Sequence, residues 1–259
     1  RLIGGRCGTT PEHICLIARL AKGRAPAPSR YVPRAAVCSA TKAVFIDGVR
    51  VIGERINPTG KKAMKAALLA GDYNYAAKQA VEQTEAGADI LDVNAGLPGI
   101  DEKEVLTELV RRVSSVTDLP LQIDTSDPAA AESALRAYNG KAVINSVSGE
   151  EKSLSAVLPL AAKYGAAVVG LTVDERGVPK TTEERLEIAE KIIARAAAHG
   201  IPETDIYIDC LTLTVGAEQE QAVRTLDAIR EIKRRHNVRT VLGVSNVSFG
   251  LPARRIINS

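Results

Sequence analysis

Tryptophan is absent from this 259-residue sequence, and phenylalanine and tyrosine bring the aromatic fraction to only 3%. A surface that reads nucleic acid by stacking, or a platform for sugar rings, has too few rings to build on. The three histidines, His13, His199 and His236, fall in helix-patterned stretches or at helix ends, so a nucleophilic triad has no base. The four cysteines, Cys7, Cys15, Cys38 and Cys210, are widely spaced without a C-x-x-C pair. No disulfide framework follows, and a reducing, cytoplasmic setting is expected. No run approaches the ~20 apolar residues of a membrane span, and the start carries no secretory core segment. The sequence also opens without an initiator Met and is expected to be part of a longer chain.

What is present is the composition of a globular domain, 45% hydrophobic and 25% charged. The net charge of +3 is uneven: residues 1–43 hold eight Lys or Arg against one acid, so the remainder is net acidic. The basic character belongs to an N-terminal segment and gives the main domain no nucleic-acid channel. Residues 1–20 pattern as a strand end, a Gly-rich turn and a helix, with Thr10 as N-cap and Pro11 at the first helical position. Residues 21–43 contain three prolines close together and predict a linker. Short strands are expected at 43–47 and 50–54, around the turn Asp47-Gly48.

From there the chain alternates. Strand-like runs at 50–54, 89–94, 121–124, 142–146, 166–172, 205–209 and 240–244 are separated by helical patterns at 61–87, 102–117, 128–138, 153–164, 182–199 and 217–235. Asp101 and Thr182 are expected N-caps, and Gly87, Gly140, Gly165 and Gly200 stand where helices should end. This rhythm implies a parallel sheet, and no G-x-G-x-x-G turn follows the first strand, as an open dinucleotide-binding sheet would require. The expected fold is α/β, a TIM (β/α)8 barrel over 44–259 that stops before its eighth strand. The stretch Thr240–Gly250 is expected to open as a strand buried on both faces.

In such a barrel the active site lies at the C-terminal ends of the strands. Glu54, Asn57, Asp92, Asn94, Asp124, Asn145, Asp209 and Asn246 would then ring one mouth. That set lacks the imidazole and thiolate ligands of zinc, although carboxylates alone could hold magnesium. The turn Gly96–Gly99 has no lysine and makes a poor phosphate cradle. Carboxylates and amides together suit a planar heterocycle with a cyclic amide and an exocyclic amine. One carboxylate accepts from two adjacent N–H groups, and amides serve ring atoms of either polarity. The same negative field would favour positive charge developing on the ligand.

The strings V-I-G-E-R-I-N-P-T-G (51–60), G-A-D-I-L-D-V-N-A-G (87–96), I-D-T (123–125), A-V-I-N-S (142–146), Y-I-D (207–209) and L-G-V-S-N-V-S-F-G-L-P (242–252) resemble the folate-binding barrel of the cobalamin-dependent methionine synthases. They also resemble the related methyltransferases that act on corrinoid iron–sulfur proteins. G-G-R-C-G-T-T-P-E-H-I (4–14) is similar to the end of the homocysteine-binding barrel that precedes the folate barrel, which favours the methionine synthases.

The resemblance implies transfer of the N5 methyl of 5-methyltetrahydrofolate to cob(I)alamin carried on a separate module. It implies that Asp124, Asn145 and Asp209 bind the pterin and that Asn246 meets N5. Glu54, Asp92 and Asn94 would line the pocket, and Arg254 would meet the ligand's flank or tail. Zinc belongs to the homocysteine barrel. Cys7 matches one ligand of that site, but Arg6 stands where the adjacent cysteine is expected, so no zinc site is complete here. Two rivals differ in class. Dihydropteroate synthase shares the barrel, but an S-x-R-P-type loop is replaced by A-G-L-P-G-I at 95–100. The other is a folate-binding or scaffolding piece without turnover.

Overall fold

The computed structural model describes residues 3–25, 32–214, 216 and 219–257. Two compact units emerge, Arg1–Pro33 and Arg34–Ser259. In the first, helix α1 (Pro11–Ala21) follows Thr10, whose backbone N–H donates to His13 Nδ1 at 3.1 Å. The helix is amphipathic and buries none of its residues.

The second unit opens with a hairpin of β1 (Ala36–Cys38) and β2 (Ala43–Phe45), antiparallel. Then come β3 (Ile52–Ile56), α2 (Lys62–Leu69), α3 (Tyr73–Glu85), β4 (Ile90–Asn94), α4 (Glu102–Ser114), β5 (Leu121–Asp124), α5 (Pro128–Ala137) and β6 (Val143–Ser148). They are followed by α6 (Glu151–Tyr164), β7 (Ala167–Leu171), α7 (Thr182–Ala198), β8 (Ile206–Asp209), α8 (Gln219–Arg235), β9 (Arg239–Val241) and the short α9 (Arg254–Ile257). Strands β3 to β9 form one seven-stranded parallel sheet in sequence order, curled into a partial barrel with β3 and β9 at its edges.

Strand residues alternate between two cores, which is why both faces are apolar. Leu91, Val93, Leu121, Ile123, Ile144 and Ile208 face the helices, where Leu106, Leu109, Leu158 and Ile192 meet them. Ile90, Val143, Ala167, Val169 and Tyr207 face the inside of the curl, packed with Val37 and Val44 of the hairpin. The hairpin therefore fills the N-terminal end of the barrel. Cys38 exchanges backbone hydrogen bonds with Lys141 just before β6 (3.1 and 2.9 Å), and Arg239 Nε at the start of β9 donates to Ile46 O at 2.8 Å. Burying hydrophobic residues on both sides of the sheet stabilises it by roughly 1.5–3 kcal/mol for each large side chain.

Several expectations need correction. Residues 36–38, expected within the linker, form β1, and β2 pairs with that strand instead of with 50–54. The turn between β2 and β3 is closed by Arg50, which donates to Phe45 O and Asp47 Oδ1. The helical pattern at 61–87 is two helices, because Gly71 takes φ +67° and Asp72 caps α3 by accepting from Asn74 N. Thr181, not Thr182, caps α7, in a reciprocal box with Glu184. Gly140 does not end a helix with positive φ; a Cβ there would collide with Cys38 O of the hairpin. The Thr240 stretch also differs: β9 ends at Val241, Val244–Asn246 is a 3-10 turn, and Val244 is 48% exposed. An edge strand has a neighbour on one side only, so this one is half-buried where burial on both faces was expected.

Candidate functional site

Parallel register aligns the strand ends. Asn94 lies opposite Asp124, and Asp124 opposite Asn145, in one row across β4, β5 and β6. One step deeper, Asp92 lies opposite Gln122. Because side chains alternate along a strand, both rows point to the same face of the sheet.

The upper row is locked by its own bonds. Asn94 Nδ2 donates to Asp124 Oδ2 at 2.9 Å, while Asn94 Oδ1 accepts from Gly96 N at 2.8 Å. That second bond fixes which end of the amide faces the carboxylate. Thr125 donates its hydroxyl to Glu102 and its N–H to Asn145 O, which ties the end of β5 to α4 and β6. In the lower row Gln122 Nε2 donates to Asp92 Oδ1 at 2.6 Å. Asp92 is 1% exposed, and both Asp92 Oδ2 and Gln122 Oε1 are buried acceptors without a protein partner. Unpartnered acceptors in a dry site favour a ligand or water that brings N–H or O–H groups.

The electrostatics agree. Burial, and next the charge of Asp124, push the Asp92 carboxyl up to about 7. Burial likewise raises Asp124, opposed by the Asn94 amide and reinforced by the charges of Glu54 and Glu102. Asp209, at the end of β8, is raised by burial and held back by the N–H of Leu211, which donates to Asp209 Oδ1 at 2.8 Å. Three carboxyls starved of solvation gain most from a ligand that donates hydrogen bonds or acquires positive charge.

The predicted residues do not all converge. Asp92, Asn94, Asp124 and Asn145 form one cluster, and Glu54 acts on it through its charge. The Glu54 side chain itself is largely exposed, accepts from Asn57 Nδ2 at 3.1 Å and pairs with Lys61 at 3.5 Å. Asp209 stands on the same rim three strands beyond β5. Asn246 lies in the exposed turn after β9, with its Nδ2 against Gly243. Arg254 donates to Ser245 O at 2.7 Å and Ser248 Oγ at 3.0 Å, closing that segment on itself. Ser245 and Arg254 line a cavity of about 530 Å³ together with Gly53, Glu54 and Arg55 of β3 and with Lys61 just before α2. Cys7 is exposed in the first unit. Among the described residues no three His, Cys, Asp or Glu side chains are grouped to hold a metal ion, and no helix is long and apolar enough to cross a membrane. Sequence inspection missed Gln122 and Glu102. Period-two counting back from Asp124 finds the first; nothing in the sequence signals the second.

Comparison with known proteins is consistent with this geometry. A family model described as pterin binding enzyme matches residues 53–258. The chain is 38% identical to the methionine synthases of Mycobacterium leprae (over 279 residues) and Mycobacterium tuberculosis (over 275), aligned along its whole length. It spans only 23% of either relative, each a much longer protein. Solved structures with the same fold include dihydropteroate synthase from Xanthomonas albilineans (TM-score 0.63, 22% identity, 81% of this chain and 77% of that one). Another is the Thermus thermophilus enzyme in complex with 4-aminobenzoate (TM-score 0.64, 23% identity, 86% of each). At such identity the likeness speaks for the barrel architecture alone. With the family model covering most of the sequence, and the row of acids and amides at the strand ends already described, the chain belongs to the pterin-binding enzymes.

Proposed function

We propose that this chain is the folate module of a methionine synthase-type methyltransferase, binding 5-methyltetrahydrofolate and offering its N5 methyl group to cob(I)alamin on a separate module. The observation that carries this reading is the Asn94–Asp124–Asn145 row above the Asp92–Gln122 pair. Asp124 and Asp209 accept from the ring N–H and exocyclic amine of the pyrimidine edge, and Asn145 serves the ring carbonyl or nitrogen beside them. The methionine synthase relatives support methyl transfer as the reaction class.

The rim of carboxylates and amides gives cobalt no imidazole or thiolate, so this chain's part is to hold and orient the folate. Cob(I)alamin, when presented, supplies the nucleophile. The methyl group leaves without its bonding electrons, which stay on N5. A tertiary amine is a poor leaving group, so N5 must gain a proton on the way. Asn246 can accept from protonated N5 or donate to neutral N5 by turning its amide. The acidic rim favours the cationic form.

Calorimetric titration of 5-methyltetrahydrofolate into the parent, Asp124→Ala and Asn246→Ala tests the reading. Binding by the parent that collapses in Asp124→Ala supports it. Absence of binding by a folded parent overturns the site. Binding without methyl transfer to added cob(I)alamin would favour the non-catalytic folate-binding reading.

A further inference from the structure

Arg185, the fourth residue of α7, is completely buried. Burying a guanidinium is costly unless its donors are satisfied, and such residues are rare in cores. Its Nε donates to Cys210 O at 3.0 Å, Nη1 to Thr181 O at 3.2 Å and Nη2 to Gln221 Oε1 at 2.9 Å. The first of these partners matters most. The carbonyl of Cys210 and the N–H of Leu211 belong to one peptide group, and that N–H donates to Asp209 Oδ1 at 2.8 Å. A single planar amide thus connects the buried cation to the rim carboxylate, accepting on one side and donating on the other.

This peptide is held against a preference of the chain. Leu211 has φ +58°, a left-handed conformation that is unfavourable for a residue with a side chain. Rotating the Cys210–Leu211 peptide would relieve it, but would turn the carbonyl away from Arg185 and the N–H away from Asp209. Other contacts fix the flanks: Thr172 donates its N–H and hydroxyl to Asp209 O at 3.0 and 3.1 Å, and Thr225 Oγ1 donates to Leu211 O at 3.1 Å. Neither of them grips the carbonyl of Cys210.

We propose that Arg185 is a positioning residue for the pterin site, locking and polarising the Cys210–Leu211 peptide so that Asp209 keeps Oδ1 engaged and presents Oδ2 to the ligand. Hydrogen bonds in series strengthen one another, and a charged donor at one end makes the far N–H a better donor. This inference rests on Asp209 being a ligand acceptor, as argued above.

The test reads Asp209 directly, by carboxyl carbon and Leu211 amide NMR across pH in the ligand-free chain, and then by calorimetric binding of 5-methyltetrahydrofolate. In the parent the Leu211 amide resonance should follow the titration of Asp209. Arg185→Met should move that titration upward, weaken folate binding about ten-fold and shift the acid limb of binding to higher pH. Arg185→Lys, which keeps a donor and the charge, should restore most of each. Leu211→Gly combined with Arg185→Met should recover part of the affinity, because glycine holds the left-handed conformation without penalty. A Leu211 amide blind to Asp209 in the parent overturns the proposal even if Arg185→Met does not fold. A folded Arg185→Met with reduced melting temperature but an unmoved Asp209 titration also overturns it, assigning Arg185 a purely structural role. Failure of the parent to bind folate would instead strike the pterin reading, leaving the coupling of Arg185 to Asp209 to be judged by the ligand-free titration.

Discussion

The two sides of the rim are built differently. Over β4 to β6 the polar groups sit on strands with neighbours on both sides, aligned by backbone register and tied by Asn94–Asp124, Gln122–Asp92 and Thr125–Glu102. After β9 they sit on an exposed turn whose side-chain hydrogen bonds, from Arg254 and Ser248, stay within residues 245–254. The first side is preorganised, with its cost of ordering met when the chain folds; on the second, a ligand would still have to fix side chains that are exposed to solvent. A pterin site divided in this way would take affinity from one half and chemistry from the other.

The sharpest way to break that contrast is to exchange the expected effects of two substitutions. Asp124→Ala should weaken 5-methyltetrahydrofolate binding by about 100-fold, since it removes a charge-assisted pair from a dry site. Asn246→Ala should weaken binding by about ten-fold or less while depressing methyl transfer to cob(I)alamin more strongly, a split seen by pairing calorimetry with single-turnover assays. If the two variants lose affinity equally, the division fails.

Next in size is a pH effect confined to the preorganised side. Asp92 has its carboxyl raised from 3.8 to about 7 in the folded chain, so the native state binds the extra proton. Its contribution to stability is therefore fullest below the unfolded value and is lost as pH rises through about 4 to 7. Asp92→Asn should remove that loss, an effect on the order of a few kcal/mol when parent and variant are compared by urea unfolding at about pH 5 and pH 8. The smallest effect is expected on the other side. Arg254→Ala should change stability by about 1 kcal/mol or less in the same unfolding experiment, because both of its side-chain hydrogen bonds stay within residues 245–254 and the arginine itself is exposed. A large loss there would mean that the segment is more firmly ordered than its contacts indicate.

These two sides were also unequally legible in the sequence. Strands ending in Asp or Asn stood out at 90–94, 121–124 and 206–209 because an apolar run and a polar stop survive any uncertainty in the exact ends. The alternation that buries Gln122 beside Asp92 was there to be counted, but a glutamine inside an apolar run reads as an interruption. The run after Thr240 misled for the opposite reason. Its composition suits a central strand, yet whether a strand has one neighbour or two is decided by topology. The hairpin strand Ala36–Cys38 escaped notice because three residues among prolines and arginines carry no periodicity. Arg185 was invisible altogether: on a charged amphipathic helix, nothing marks the one arginine that turns inward.

That hairpin has a bearing on the mouth at the far end of the barrel. By joining Lys141 ahead of β6 to Arg239 at the start of β9, it spans the curl as a chord spans an arc. Among the described residues β3 and β9 are not paired with each other, so the hairpin is a tie across the curl in addition to the strand ladder. A chord at the base sets the radius, and the strands carry that radius upward as rigid spokes. The gap across which Asp124 and Asp209 would grip a flat ring is thus gauged at the opposite end of the strands, by a short hairpin and an arginine.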